Sequence, residues 1–373
     1  MRVLILAAVA TMASSQQQDD DGGIPNLTSS SYSGSSDVMP LTILSPDDPG
    51  VAGGGVCLDG SPPWYYLGRS ATKSKTWVIQ FQGGGWSYSP SEAVSRSMTS
   101  LGSSTKAASS YTYPYGPLSS DPGTNPMFYD ANRVLLAYCD AGSFAGHLSE
   151  PLEGIHPPVY IRGKMVLDAL FGALMSEGFV EATDVLLTGT SAGGLAAFLH
   201  ADYVRSALLP STVTRYGVMP ISGFFLNHAD LNGDLTYGTE LRNVFAYQNS
   251  TSGMNSACVA AKASSQSDCI FANETAVFVT SPLFVQNSMV DSWQLQNIWE
   301  QNMDDPCTSN STAQFQSCSD AQIDQINAYG SDFLSDLLKV VCWMLCGTAS
   351  LFPLFPRTCE YTLYIYAQIC PRF

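Results

Sequence analysis

Apolar and polar residues alternate along the middle of the chain in blocks that predict strands followed by helices. Apolar runs at 76–81, 133–138 and 185–187 have the length and composition of buried strands, and 282–285 is compatible with another. Between them, residues 167–174 place leucine and phenylalanine at the i, i+3, i+4 and i+7 positions of one helical face. Strands that alternate with helices in this way predict a mostly parallel α/β sheet.

A serine flanked by glycines follows the third of these strands. Residues 189–194 read Gly-Thr-Ser-Ala-Gly-Gly and lead into a second helical pattern. This is the pattern of a nucleophile elbow, a strand–turn–helix bend that lifts a serine hydroxyl above the sheet edge. We therefore predict Ser191 as a nucleophile, with the amide of Ala192 directed at a developing oxyanion. The G-x-S-x-G pattern also arises by chance, so it does not carry the prediction alone.

A glycine triplet directly follows the strand that ends at Phe81. Gly83, Gly84 and Gly85 precede Trp86, and they free the backbone to present N–H groups to negative charge. The triplet lies upstream of the serine, in the order expected for an oxyanion hole, although a tight turn alone would have the same composition. The Trp86 ring is expected either to floor an acyl pocket or to be a buried structural residue.

Composition narrows the class of protein. The chain has 373 residues, 45% of them hydrophobic, and a formal net charge of −16. The hydrophobic content allows a sizeable core, and the acidity argues against nucleic acid and anionic membranes as partners. Ten cysteines favour disulfides and export, whereas four histidines among scattered cysteines make a zinc site improbable. Spacing suggests Cys258 with Cys269 and Cys307 with Cys318, but sequence leaves the connectivity open.

The ends of the chain differ from its middle. The N-terminus has one arginine, a short apolar stretch and small residues, which is typical of a secretory signal peptide. Long polar segments at 86–126 and 225–275 are predicted to be loops that shape a cleft or merely decorate the sheet. Asn-x-Ser/Thr sequons at Asn26, Asn249 and Asn273, with another at Asn310, are compatible with glycosylation. The predicted parts are a signal peptide (1–15), a flexible N-terminal segment (16–50), an α/β domain (51–335) and a divergent C-terminal tail (336–373).

Several further stretches run in a recognisable order from about residue 56 to 334. They resemble the pectin acetylesterase/Notum family of secreted carboxylesterases. The matching stretches are Cys57–Pro63, Gly83–Trp86, Asn125–Phe128, Asn132–Val134, Tyr138–Asp140, Ser143–Phe144, Gly189–Leu195 and Asn287–Gln294.

The resemblance implies an α/β-hydrolase-like fold and a set of roles. It implies Ser191 as nucleophile, Asp291 as the acid of a triad, and Gly85, Trp86 and Ala192 as oxyanion donors. Without the resemblance, Asp291 reads more simply as a loop-capping aspartate. The implied reaction removes acyl groups, above all acetyl, from a polysaccharide such as pectin, and the Notum branch suggests a lipidated protein instead. No metal or organic cofactor and no membrane anchor are expected, and the product is expected to be a secreted or cell-wall monomer.

The chain departs from the family at its general base. The family has a histidine near the C-terminus, but this chain has none after His228. Three explanations compete: a C-terminal reading corrupted by an unspliced intron or frameshift, a catalytically dead member, and a histidine supplied from elsewhere. His147 is the best candidate for the last, because it lies in the loop after the strand at 133–138, while His156, His200 and His228 read as packed or solvated. A non-catalytic carbohydrate-binding or scaffold protein is therefore the rival to a weakly active or active esterase.

Overall fold

The computed structural model describes residues 38–112, 116–299, 307 and 317–346. The predicted signal peptide, the sequons at Asn26 and Asn310, and residues 347–373 of the predicted tail lie outside these residues. Among the helices of the described ranges, none has both the length and the apolar character needed to cross a bilayer.

Seven strands of the described chain form one sheet in the order β4-β1-β2-β5-β3-β6-β7. Neighbours from β5 to β7 are parallel, whereas β4, β1 and β2 form an antiparallel edge that joins β5. The strands are β1 (Val38–Ile43), β2 (Trp64–Gly68), β3 (Thr76–Phe81), β4 (Ser110–Thr112), β5 (Asn132–Leu136), β6 (Asp184–Thr190) and β7 (Arg215–Ile221).

Helices cover the sheet, and α4 is the one that positions the site. Ten of its twelve residues are buried, and it lies against β3, β6 and β7, so its sequence is apolar on every side. The helices are α1 (Pro49–Ala52), α2 (Pro90–Ser97), α3 (Gly163–Ser176), α4 (Ala192–Tyr203), α5 (Thr236–Tyr247), α6 (Ser256–Ala261), α7 (Ala272–Ala276), α8 (Ser292–Asn297) and α9 (Asp320–Cys346).

Two glycines let α4 begin directly on the sheet. A Cβ at Gly193 would lie 2.2 Å from the carbonyl oxygen of Phe81, and one at Gly194 would lie 2.6 Å from that of Ile221. Any side chain at these positions would therefore push the helix away from β3 and β7. The first turn of α4 is held at the carboxyl ends of the parallel strands, where side chains from different strands meet.

The predicted mostly parallel sheet with flanking helices is confirmed, and β3 coincides with the apolar run at 76–81. The run at 282–285 does not form a full strand: Leu283 makes an isolated bridge to β7, and Gln286, just after the run, makes another. Residues 38–43, inside the segment predicted to be flexible, instead form β1, with Met39 fully buried. Helix α9 also crosses the predicted start of the tail at residue 336.

Three disulfides fasten the described chain. Cys258–Cys269 and Cys307–Cys318 are the two pairs that spacing suggested, and each spans 11 residues. Cys57–Cys139 spans 82 residues and ties the segment before β2 to the segment after β5.

Candidate active site

Ser191 lies at the bend between β6 and α4, in a backbone conformation that residues other than glycine rarely adopt. Its φ is 59° and its ψ is −127°. Its N–H donates to the carbonyl of Ile221 at 3.1 Å, and its carbonyl accepts from the N–H of Leu195 at 3.0 Å. Side-chain space is limited here, because a Cβ at Gly189 would lie 2.0 Å from the carbonyl oxygen of Gly193. The glycines of the motif are therefore required by the bend that presents Ser191.

The glycine triplet passes directly beside this serine. A Cβ at Gly83 would lie 2.4 Å from the carbonyl oxygen of Thr190 and 2.9 Å from the Cβ of Ser191. Gly85 adopts a φ of 65°, which a glycine accepts without strain. The structure thus brings the loop of the triplet and the serine elbow together.

The predicted oxyanion donors have free amides within the described part of the chain. The N–H groups of Gly85, Trp86 and Ala192 donate to no acceptor there. Ala192 is the first residue of α4, where the amides of a helix are unpaired and carry partial positive charge. Ser191 is half-buried, and its hydroxyl likewise has no hydrogen-bond partner in the described residues. A hydroxyl and unpaired amides on adjoining segments can attack a carbonyl and stabilise the resulting negative charge.

A buried loop after β5 supports both sides of this arrangement. The hydroxyl of Tyr138 donates to the carbonyl of Gly85 at 2.8 Å. The hydroxyl of Ser143 donates to the carbonyl of Ala192 at 2.8 Å and accepts from Nε1 of Trp86 at 2.8 Å. The Trp86 ring is therefore a buried structural group. No local sequence pattern indicates a role for Tyr138 or Ser143, although both lie in stretches that carry the family resemblance.

Asp140 holds the turn of this loop. Its Oδ2 accepts from the N–H of Gly142 at 3.1 Å and from that of Phe144 at 2.8 Å. Burial raises the pKa of Asp140 to about 7, and these hydrogen bonds lower it only in part. Ala141, Ser143 and Phe144 all have positive φ, at 58°, 54° and 59°. The loop is strained, and it lies directly under the candidate site.

Asp291 lies at the start of α8, beyond the short stretch that bridges to β7. Its Oδ1 accepts from the N–H of Gln294 at 3.0 Å, which is the hydrogen bond of a helix cap. Burial raises its pKa, against the lowering effect of the amides of Gln294 and Trp293. The carboxyl group thus performs the capping role that the bare sequence suggested, and its role in a triad stays a prediction.

An aromatic cluster connects the glycine loop to α8. We define this cluster as Trp86, Phe225, Tyr237 and Trp293. The Trp86 ring centroid lies 5.0 Å from that of Phe225, 5.7 Å from that of Trp293 and 6.1 Å from that of Tyr237. The first two contacts are edge-to-face, the geometry that aromatic quadrupoles favour. Trp293, the second residue of α8, therefore packs directly on Trp86 in the loop that follows the glycine triplet.

His200 is a packed residue of α4 rather than a solvated or reacting one. It is 1% exposed, and its Nε2 lies 3.0 Å from the carbonyl oxygen of Ser143. Burial lowers its pKa to about 4, so the ring is neutral at neutral pH and donates to that carbonyl. His200 thus braces the same loop that holds Gly85 and Ala192.

The other histidines do not pair with Ser191 or Asp291 through any described hydrogen bond or ion pair. His147 is half-buried, and its backbone N–H donates to the carbonyl of Gln248. His156 is exposed, and Nε2 of His228 lies 3.2 Å from a carboxylate oxygen of Asp332 on α9. The hypothesis that His147 replaces the missing base gains no support from these contacts.

The sequence of this chain is similar to those of a known protein family. The chain matches the Pectinacetylesterase family over residues 33–343. It is 34% identical to pectin acetylesterase 4 of Arabidopsis thaliana over 72% of this chain and 66% of that protein. It is 32% identical to pectin acetylesterase 11 of the same plant over 81% of this chain and 75% of that protein. The chain spans less than two thirds of the length of pectin acetylesterases 4 and 5.

A solved structure shares the fold. The Wnt deacylase Notum from Drosophila superimposes with a TM-score of 0.68 at 22% identity, over 80% of this chain and 81% of that one. The predicted α/β-hydrolase-like fold is therefore confirmed. The match over residues 33–343, more than half of the chain, establishes that the chain belongs to the Pectinacetylesterase family.

Proposed function

We propose that the chain carries a serine carboxylesterase site for acyl esters of a polysaccharide such as pectin. The observation that carries the proposal is the meeting of a strained Ser191 with the Gly83 loop and with unpaired amides. Ser191 Oγ would attack the ester carbonyl, and the amides of Gly85, Trp86 and Ala192 would hold the oxyanion. The sugar hydroxyl leaves with a proton, and water then releases the acid from the acyl-serine.

Acetyl is the acyl group that the surroundings favour. The aromatic cluster packs against itself beside the oxyanion loop, and Phe225 and Tyr237 are at most 2% exposed. Such packing leaves little room for a long acyl chain next to Trp86. Pectin acetylesterase 11 is also 32% identical to this chain over 81% of it, whereas a Notum carboxylesterase of Xenopus laevis is 25% identical over 76% of it. A deacylase of lipidated protein is the alternative within the same chemistry.

Turnover depends on a base that this polypeptide does not provide in the family position. No histidine follows His228, so Asp291 would orient an imidazole only if an intact C-terminus supplied one. An esterase site that lacks its base but keeps substrate binding and the oxyanion hole still accelerates ester hydrolysis about 10³- to 10⁴-fold over the reaction in water. We therefore expect slow acylation of Ser191 in the chain as written, and faster turnover in a spliced form that restores the histidine.

A non-catalytic polysaccharide-binding protein is the second candidate function. Two observations favour it: the carboxylate of Asp291 caps α8, and no histidine is paired with it or with Ser191 in the described chain. In that case the chain would bind acylated polysaccharide without cleaving it.

Covalent labelling separates the two functions. A fluorophosphonate forms a bond from Ser191 Oγ to phosphorus, fluoride leaves, and the hydroxyl proton passes to solvent. Labelling that maps to Ser191 and disappears in Ser191→Ala supports the esterase, together with release of p-nitrophenol from its acetate ester. Absence of labelling in a folded protein that binds acetylated pectin would favour the binding function. Sequencing the transcript beyond the codon for Gly330 decides whether a histidine is restored.

Secretion is part of the proposal. Three disulfides within the described chain are typical of proteins that fold in an oxidising compartment. Expression with the native N-terminus should deliver a processed monomer to the medium, checked by mass spectrometry and light scattering.

A further inference from the structure

The direction of an amide N–H is fixed by the carbonyl of the preceding residue, because the two groups share one planar peptide unit. In a trans peptide the C=O and the following N–H point in opposite directions. The N–H of Trp86 therefore points away from the carbonyl of Gly85, and Tyr138 holds that carbonyl with a 2.8 Å hydrogen bond. A shift of the Tyr138 hydroxyl would therefore rotate this peptide unit and change the direction of the Trp86 N–H.

The elbow is held from the same loop. The Ser143 hydroxyl donates to the carbonyl of Ala192, so it anchors the first residue of α4. The candidate donor, the Ala192 N–H, belongs to the preceding peptide unit and is held through the position of this residue. The N–H of Ser143 donates at 3.1 Å to the Tyr138 hydroxyl. The two hydroxyl groups are therefore connected through the backbone amide of Ser143. Tyr138 is fully buried, and Ser143 is 1% exposed, so water does not compete for these hydrogen bonds.

Ser143 also has contacts that fix its own position. Nε1 of Trp86 donates to its hydroxyl, and its carbonyl lies 3.0 Å from Nε2 of His200. Its φ of 54° is one that glycine would adopt more readily. The amide, carbonyl and hydroxyl of Ser143 are all hydrogen-bonded, although its backbone is strained. We take this as a sign that the serine is retained to hold its partners in position, since the turn alone would be formed more easily by glycine.

We propose that Tyr138 and Ser143 are positioning residues that set the spacing between the Trp86 and Ala192 amides. The inference rests on the proposed esterase site. The two hydroxyls would act as a rigid bridge between the glycine loop and the serine elbow, so that both amides reach one oxyanion.

The test compares fluorophosphonate labelling rates of Tyr138→Phe and Ser143→Gly with the parent chain. Tyr138→Phe keeps the ring and removes one hydroxyl. Ser143→Gly removes the other hydroxyl and relieves the positive φ, and urea unfolding of each variant checks that the fold is retained. Tyr216→Phe is the matched control, because the Tyr216 hydroxyl donates to a backbone carbonyl, that of Ala201, away from the oxyanion loop.

We expect maximal labelling rates to fall about tenfold or more in both variants, less than the 100- to 1000-fold cost of deleting a donor outright. The concentration for half-maximal rate should stay within about twofold, since binding precedes oxyanion formation. Tyr216→Phe should label like the parent.

Labelling of Tyr138→Phe and Ser143→Gly at the parental rate would overturn the positioning role. Labelling that persists in Ser191→Ala, or that is absent from the folded parent, would instead refute the esterase site itself.

Discussion

Asp140 and His200 are both buried and both bind the loop after β5, and their pKa values move in opposite directions. Asp140 has its pKa raised from 3.8 to about 7, and His200 has its pKa lowered from 6.5 to about 4. The folded protein therefore keeps the Asp140 proton where the unfolded chain has lost it, so this group makes stability fall as pH rises from about 4 to 7. His200 stays neutral where the unfolded chain is protonated, so it makes stability rise between about 4 and 6.5.

The two effects nearly cancel in the parent chain, and a single substitution exposes either one. Each pH unit between folded and unfolded pKa values is worth about 1.4 kcal/mol. Asp140→Asn should gain stability relative to the parent by about 4 kcal/mol between pH 4 and pH 8. His200→Gln should show the opposite trend, losing about 3 kcal/mol relative to the parent over pH 4 to 7.

The asparagine variant is a clean perturbation because both backbone donors use the same carboxylate oxygen. The amides of Gly142 and Phe144 donate to Oδ2, which the asparagine carbonyl can replace. Any cost of placing an amide nitrogen at the position of Oδ1 is independent of pH. Urea unfolding followed by tryptophan fluorescence at pH 4 to 8 measures the difference. A difference between Asp140→Asn and the parent that stays constant within about 1 kcal/mol would refute the reasoning.

Three further predictions concern the backbone of the site and the disulfide beside it. Ser191→Gly should be more stable than Ser191→Ala by about 1–3 kcal/mol in urea unfolding, because glycine accepts the strained φ; equal stability would contradict the strain. Gly83→Ala should lower the unfolding midpoint and abolish fluorophosphonate labelling, since its Cβ would meet the Thr190 carbonyl at 2.4 Å; labelling at the parental rate would argue against contact with the elbow. Replacing Cys57 and Cys139 together by alanine should cost about 4–5 kcal/mol under oxidising conditions, as the entropy of an 82-residue loop implies, and a cost below about 1 kcal/mol would disagree.

Much of the parallel sheet and of the elbow is encoded locally. The strand at 76–81 is buried on both sides, so its apolar run is continuous, and the glycines at 189 and 193 are required by a bend that any L side chain would block. Both signals are contained in a few consecutive residues.

The remainder depends on contacts between distant residues. Strand β1 contains Pro40 and has one fully buried residue, Met39, so its pairing with β2 and β4 is set by tertiary packing. The hydrogen bond from Ser143 to Ala192 joins residues 49 positions apart, and no local pattern marks that serine. The burial of Asp140 likewise follows from the packed loop around it rather than from its neighbours in sequence.

The conformation of residue 191 has a consequence for how this lineage changes over generations. A hydroxyl-bearing residue at this bend lowers the stability of the folded chain, and glycine would relieve the cost in a single substitution. In descendants that no longer cleave esters, replacement of Ser191 by glycine would increase stability without loss of function. Relatives that lack the C-terminal histidine but retain serine at this position therefore indicate that the hydroxyl is still used. Relatives with glycine at this position would mark the point in the lineage at which that use was lost.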